Sequence, residues 1–183
     1  MTGSERLGSI LWEGQLRAFR TFSQGHPAVC FTESTVVGLT FLLQNRPYRP
    51  WGLIVSRDSV YDAGGGPVWY TRRPEYENLK RLGDHIRPWT VKLDGYNSDW
   101  LEEREWRIIP DPVGDPPSVM PLSRLKMVAL LVGDPQWIPP RPPGVAQQPG
   151  LIPSSAAALP QFWWNASVQQ LQLLPPLCGV PNA

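Results

Sequence analysis

The chain has 183 residues, a formal charge of +1 and a hydrophobic content of 42%. That suits one ordinary domain with a real core, or one domain with a tail. The near-neutral charge excludes wholesale nucleic-acid coating and a polybasic membrane anchor. Cys30 and Cys178 are the only cysteines and lie far apart in sequence, so a reduced, cytoplasmic protein without a Cys-ligated metal is expected. No apolar signal segment follows the N-terminus, and apolar runs such as Met127–Val132 are too short to span a bilayer. No membrane partner and no metal are expected.

In chain order, Ser4 is positioned to cap a helix whose Leu7, Ile10 and Leu11 share a face, with Gly14 as its stop. Ala28–Thr32 is short, apolar and β-prone, and reads as a buried strand. Ser34 or Thr35 then caps a second helix, closed by Asn45 and Pro47. Trp51–Ser56 reads as another buried strand, followed by a turn at Asp62 and the Gly64-Gly65-Gly66-Pro67 loop. Val68–Thr71 is a further strand. Pro74 suits the first turn of a helix through Leu79 and Leu82, with Gly83 as its stop. Arg104–Ile109 and Met127–Val132 are the last two strands. The pattern is α+β.

Composition changes near residue 134. Pro135, Pro139, Pro140, Pro142, Pro143, Pro149 and Pro153 make residues 134–153 a stiff, irregular connector. Beyond it, Gln161–Leu174 is compatible with a helix, since Phe162, Trp163, Val168, Leu171 and Leu174 suit a broad apolar face. Trp163 and Trp164 would form a sticky patch unless that segment docks. The expected division is therefore a domain over 1–134 and a Pro-rich linker and extension over 135–183.

Asp99–Pro110 carries the strongest chemical signal. As a strand it places Glu103, Glu105 and Arg107 on one face and Arg104, Trp106 and Ile108 on the other. Trp106 and Ile108 would anchor it in a core. The two glutamates then stand side by side, either as a solvated face ion-paired with Arg107 or as the working face of a cleft.

Four stretches, in order, carry a resemblance. They are Leu7-Gly8-Ser9-Ile10-Leu11-Trp12-Glu13-Gly14-Gln15-Leu16, Ala28-Val29-Cys30-Phe31-Thr32-Glu33-Ser34, Gly52–Val55 with Tyr61, and Glu105-Trp106-Arg107-Ile108. Over roughly the first 110 residues this series resembles ADP-ribosyltransferases of the poly-ADP-ribose polymerase and DarT-toxin type. Met1-Thr2-Gly3-Ser4 looks like the tail of that family's first strand, which implies an earlier part of the strand ahead of it. Gly38 stands where the polymerases place a serine. A second resemblance, on Cys30-Phe31-Thr32-Glu33, Glu103–Arg107 and the Met127–Gly133 strand, is to abortive-infection (AbiGi-like) bacterial proteins, and brings no established chemistry.

The first resemblance implies a mixed sheet around a cleft, with NAD as the substrate that donates ADP-ribose. Loss of nicotinamide builds positive charge on the ribose, which a fixed carboxylate such as Glu105 can stabilise. Glu103 would orient or deprotonate the acceptor. Phe41 falls where the family stacks an aromatic ring on nicotinamide. Phe31 and Tyr61 belong to the matched cofactor-binding stretches, and Arg17, Arg20 or His26 would pair with the pyrophosphate or amide. The plainer readings put Phe41 in the core and His26 in the turn Gly25-His26-Pro27. Gly64–Gly66 is a wide turn and no phosphate loop, since no Lys-Ser/Thr pair follows. His26 and His85 leave little material for a zinc site or a Ser-His-Asp triad.

Residues 72–92 carry Arg72, Arg73, Lys80, Arg81, Arg87 and Lys92 with aromatic Trp69, Tyr70, Tyr76 and Trp89 in or beside them. That run suits a nucleic-acid strand, or is an ordinary solvated helix and loop. The expected function is transfer of ADP-ribose to a nucleic-acid or protein acceptor in a toxin or phage-defence role, with a cognate antitoxin as partner. The alternative is a non-catalytic module on the same fold, binding a nucleotide, nucleic acid or protein.

Overall fold

A computed structural model describes residues 1–21, 26–46, 48–79, 81, 83, 85–93, 101–110, 119–144 and 154–176. The expectations placed on Pro47, Lys80, Leu82, Asp99, Trp100, Pro149 and Pro153 lie outside these residues. In chain order come α1 (Gly3–Glu13), β1 (Gln15–Arg17), β2 (Phe19–Arg20), β3 (Pro27–Thr32), α2 (Val36–Asn45), β4 (Gly52–Val55) and α3 (Arg57–Asp62). Next are β5 (Gly66–Pro67), β6 (Trp69–Arg72), α4 (Arg73–Leu79), β7 (Thr90–Leu93), β8 (Glu105–Ile108) and β9 (Val119–Pro121). The chain closes with β10 (Met127–Val132), the single turn α5 (Ser154–Ala157), β11 (Gln161–Asn165) and β12 (Gln170–Leu174). The fold is mixed α/β with several sheets. No helix among the described residues is long and apolar enough to cross a membrane.

The chain forms two compact units. One comprises 1–15, 39–56 and 125–183; the other comprises 16–38 and 57–124.

In the first unit, α1 is capped by a reciprocal pair. The Thr2 hydroxyl accepts from the Glu5 amide at 3.2 Å while the Glu5 carboxylate accepts from the Thr2 amide at 2.7 Å. Ser4 lies inside the helix, so the cap expected at Ser4 sits two residues earlier. Met1–Ser4 is helix start and not the tail of a strand. The Thr2 contacts hold the Glu5 carboxyl below its ordinary value. Gly14 ends the helix in the left-handed conformation, φ 66°, where a Cβ is disfavoured.

The sheet of this unit runs β12-β11-β10-β4. β10 pairs antiparallel with β4 and parallel with β11. Its place between two strands, with Leu130 and Val132 fully buried, explains its continuous apolar run. Leu7 and Leu11 of α1 pack there with Trp137, Ala156 and, at the edges, Trp51 and Trp163. The Trp51 and Trp137 rings lie 5.4 Å apart, tilted by 59°.

The composition change near residue 134 falls inside this sheet, since β10 and β11 lie on either side of it. Part of the Pro-rich segment packs on α1. The Trp12 indole N–H donates to the Pro139 carbonyl at 3.1 Å, and the Arg141 guanidinium lies 4.8 Å over the Trp12 ring.

The helix expected over Gln161–Leu174 is instead a hairpin of β11 and β12. Two local preferences override the apolar spacing. The Phe162-Trp163-Trp164 run favours extended backbone, and Asn165 forms an Asx turn by accepting from the Ser167 amide at 3.1 Å. Trp164 is buried, so the sticky patch does not arise there.

In the second unit, β2-β3-β8-β5 form one sheet. β6 and β7 make a parallel pair, and β1 pairs with β9. β4 belongs to the other unit's sheet, so the strand read at Trp51–Ser56 does not share a sheet with those read at Ala28–Thr32 and Arg104–Ile109. The turn expected at Asp62 is the end of α3, a helix. Its chain leaves through Gly64, φ 88°, and Gly65, where a Cβ would stand 2.7 Å from the Val60 carbonyl oxygen. Only glycine fits that turn.

Candidate functional site

β8 organises the site, and it starts later than the sequence suggests. Leu101–Glu103 form a single 3-10 turn, and Arg104 follows with φ 45°, in the left-handed region. The two-residue alternation therefore begins at Glu105, and Glu103 does not share its strand face. What Glu103 contributes to the sheet is its carbonyl, which accepts from the Thr32 hydroxyl.

β8 lies antiparallel to β3, with Val29 opposite Ile108, Cys30 opposite Arg107, Phe31 opposite Trp106 and Thr32 opposite Glu105. Alternation then gives two different faces. One carries Cys30, Thr32, Glu105 and Arg107. The other carries Phe31, Trp106 and, just past the strand, Glu33.

The first face holds a nearly buried polar pair, Glu105 and Arg107. Arg107 holds Glu105 with two hydrogen bonds, Nε to Oε1 at 2.8 Å and Nη2 to Oε2 at 3.1 Å. Their side chains are only 3% and 13% exposed. Arg107 also donates to the Pro88 carbonyl, and the Glu105 amide donates to the Tyr70 hydroxyl at 2.7 Å. Burial, reinforced by the Glu105 carboxylate, pushes the Cys30 thiol up to about 12, so it stays protonated and unreactive at neutral pH. Burial likewise raises the Tyr70 phenol.

The second face borders an open groove of about 380 Å³, lined by Arg57, Asp58, Tyr61, Asp62 and Trp106. Asp58, Tyr61 and Asp62 are spaced i, i+3, i+4 on α3 and so share one helix face. Tyr61 is 68% exposed. The Trp106 indole N–H donates to Glu33 Oε2 at 3.0 Å, which fixes one wall. Arg57 Nη1 donates to Glu33 Oε1 at 3.3 Å, and Arg104 lies 3.5 Å from the same carboxylate.

The residues named from the sequence separate accordingly. Tyr61 lines the groove, and Phe31 lies on the Trp106 face of the sheet. Glu105 lies on the opposite face. Arg17 and Arg20 are exposed on β1 and β2, and the His26 carbonyl accepts from the Thr21 amide at 3.1 Å, a turn role. Phe41 is half exposed on the part of α2 that belongs to the other unit. Arg57, Asp58 and Asp62 were not anticipated. Their signal is Ser56 ahead of Arg57-Asp58, which reads as a helix start with an acidic first turn.

The groove combines two aromatic faces, two carboxylates and one arginine. That set can stack on a flat ring, accept hydrogen bonds from vicinal hydroxyls and pair with a phosphate. A purely cationic ligand would meet Arg57, and a bare phosphate would meet Asp58 and Asp62. Among the described residues no cluster of His, Cys, Asp and Glu is arranged to hold a metal. No protein family, curated protein or solved structure matches the chain.

Proposed function

We propose that the chain is a nucleotide-binding module on an ADP-ribosyltransferase-like scaffold, taking NAD or ADP-ribose in the Tyr61–Trp106 groove. The observation that carries this reading is the mixed chemistry of that groove, which suits a ligand with a ring, a ribose diol and a phosphate. Binding without transfer is favoured because both Glu105 oxygens are taken by buried Arg107, on the sheet face away from the groove. A toxin or phage-defence setting follows from the two resemblances. Calorimetry with NAD and with ADP-ribose tests it. Saturable binding of either, lost in Tyr61→Ala, is the expected result, and no heat from both ligands would overturn it.

A second reading, transfer of ADP-ribose from NAD to a macromolecule, is supported by one feature. The two strands that carry the resemblance are paired neighbours, with Glu105 opposite Thr32. It requires Arg107 to release Glu105. Labelled NAD incubated with lysate or nucleic acid would then label an acceptor with the wild type and not with Glu105→Gln. Equal labelling by both proteins would remove Glu105 from the reaction.

A further inference from the structure

Glu33 and Trp106 stand 73 positions apart, one in the Cys-Phe-Thr-Glu stretch and the other in the Glu-x-Glu-Trp-Arg stretch. We propose that Glu33 is the positioning residue of the groove, its single carboxylate setting both the Trp106 wall and the Arg57 rim. The inference rests on the groove being a nucleotide site.

The geometry divides the work between the two oxygens. Oε2 accepts the indole N–H at 3.0 Å and Oε1 accepts Arg57 at 3.3 Å. The backbone is tied at the same point, for the Glu33 amide donates to the Arg104 carbonyl at 3.2 Å. Arg104 takes its left-handed turn there, a conformation ordinary residues rarely adopt, and its guanidinium returns to Glu33 at 3.5 Å. Glu33 is thus held by side chain and main chain.

The contact with Arg57 has a direct consequence for the groove. Arg57 Nε lies 3.9 Å from Asp58, at the outer limit of an ion pair. Without Glu33, Arg57 would settle on Asp58 and neutralise a carboxylate that faces the ligand. Without the indole acceptor, the partly buried Trp106 N–H would lose its partner, and the ring its fixed orientation. Glu33 therefore prepares a stacking surface and a rim cation without touching the ligand.

The test compares wild type, Glu33→Gln and Glu33→Ala, each checked for fold by circular dichroism. The indole N–H resonance of Trp106 is assigned by its disappearance in Trp106→Phe. Glu33→Gln keeps an acceptor oxygen, so that resonance should stay in place, and in Glu33→Ala it should move toward the free-indole position. In calorimetry with ADP-ribose, affinity should fall roughly threefold in Glu33→Gln and about tenfold in Glu33→Ala. An unmoved indole in Glu33→Ala, or equal affinity in all three proteins, would overturn the proposal. If the wild type binds no ADP-ribose, the nucleotide reading fails, and the indole resonance alone then decides whether Glu33 positions Trp106.

Discussion

Arg107 grips Glu105 two residues away along the same strand, nitrogen to oxygen at 2.8 and 3.1 Å, with both side chains nearly out of water. An i, i+2 pair on a strand face usually lies side by side in solvent. Here the Pro88 carbonyl and the Tyr70 hydroxyl close the cluster around it.

Removing one partner should therefore be costly. Arg107→Met leaves a buried carboxylate and Glu105→Gln a buried guanidinium, each losing about 3–5 kcal/mol in denaturant titration. The double replacement should recover part of that loss, because no unpaired charge remains. Single-variant losses within about 1 kcal/mol, the range of an exposed pair, would mean the cluster is wet.

Cys30 gives a pH prediction. Its folded value is about 12 against an ordinary 9.0, chiefly from burial. The unfolded state therefore loses its thiol proton first as pH rises. The stability linked to Cys30 is complete below about pH 9 and is lost between there and pH 12. The stability difference between the wild type and Cys30→Ala, both in a Cys178→Ser background, should shift against the wild type as pH climbs from 9 to 11. At pH 8 the folded protein should resist iodoacetamide. Rapid alkylation without unfolding would contradict a thiol held protonated by its half-buried setting.

The order of the elements was largely legible in the sequence, because most signals were local. Leu7 and Leu11 set the buried face of α1, Gly14 stops it, and the apolar run Met127–Val132 is a strand with the expected ends. What sequence could not supply was partnership. β4 looks like a neighbour of β3 along the chain, yet its hydrogen bonds go to β10. The site suffered from the same limit. Glu103 and Glu105 alternate correctly on paper, and a left-handed Arg104 between them makes the strand start only at Glu105. Trp106 reads as a core anchor until Glu33 is seen to hold its indole.

The hairpin in the C-terminal region allows a test by sign. Gln169 sits at φ 52°, between Asn165 and β12. Glycine there removes the left-handed penalty and should stabilise the protein by up to about 1 kcal/mol. Some of that gain is offset by the exposed hydrogen bond from Gln44 to Gln169, 3.3 Å long. Were the segment helical, the same replacement would instead cost about 1 kcal/mol. The direction of the shift in the thermal midpoint of Gln169→Gly separates the two.

The basic, aromatic stretch after β6 carries the remaining proposal, a nucleic-acid partner. Trp69 is half exposed at the start of β6, which runs parallel to β7 and ends at Arg72. An aromatic face beside guanidinium groups can stack a base and pair with its phosphate. Against this, Arg72 is already paired with Glu75, whose carboxyl that contact holds below its ordinary value. Part of the arginine charge is thus neutralised before any strand arrives. Replacing Arg72, Arg73 and Arg81 with alanine should weaken oligonucleotide binding, and flatten its salt dependence by fewer than three counterions. ADP-ribose affinity should be unchanged, since none of the three lines the groove. Gel-shift titrations at two salt concentrations, beside calorimetry, read both quantities. Binding indifferent to salt, or to the triple replacement, would leave these residues as a solvated face.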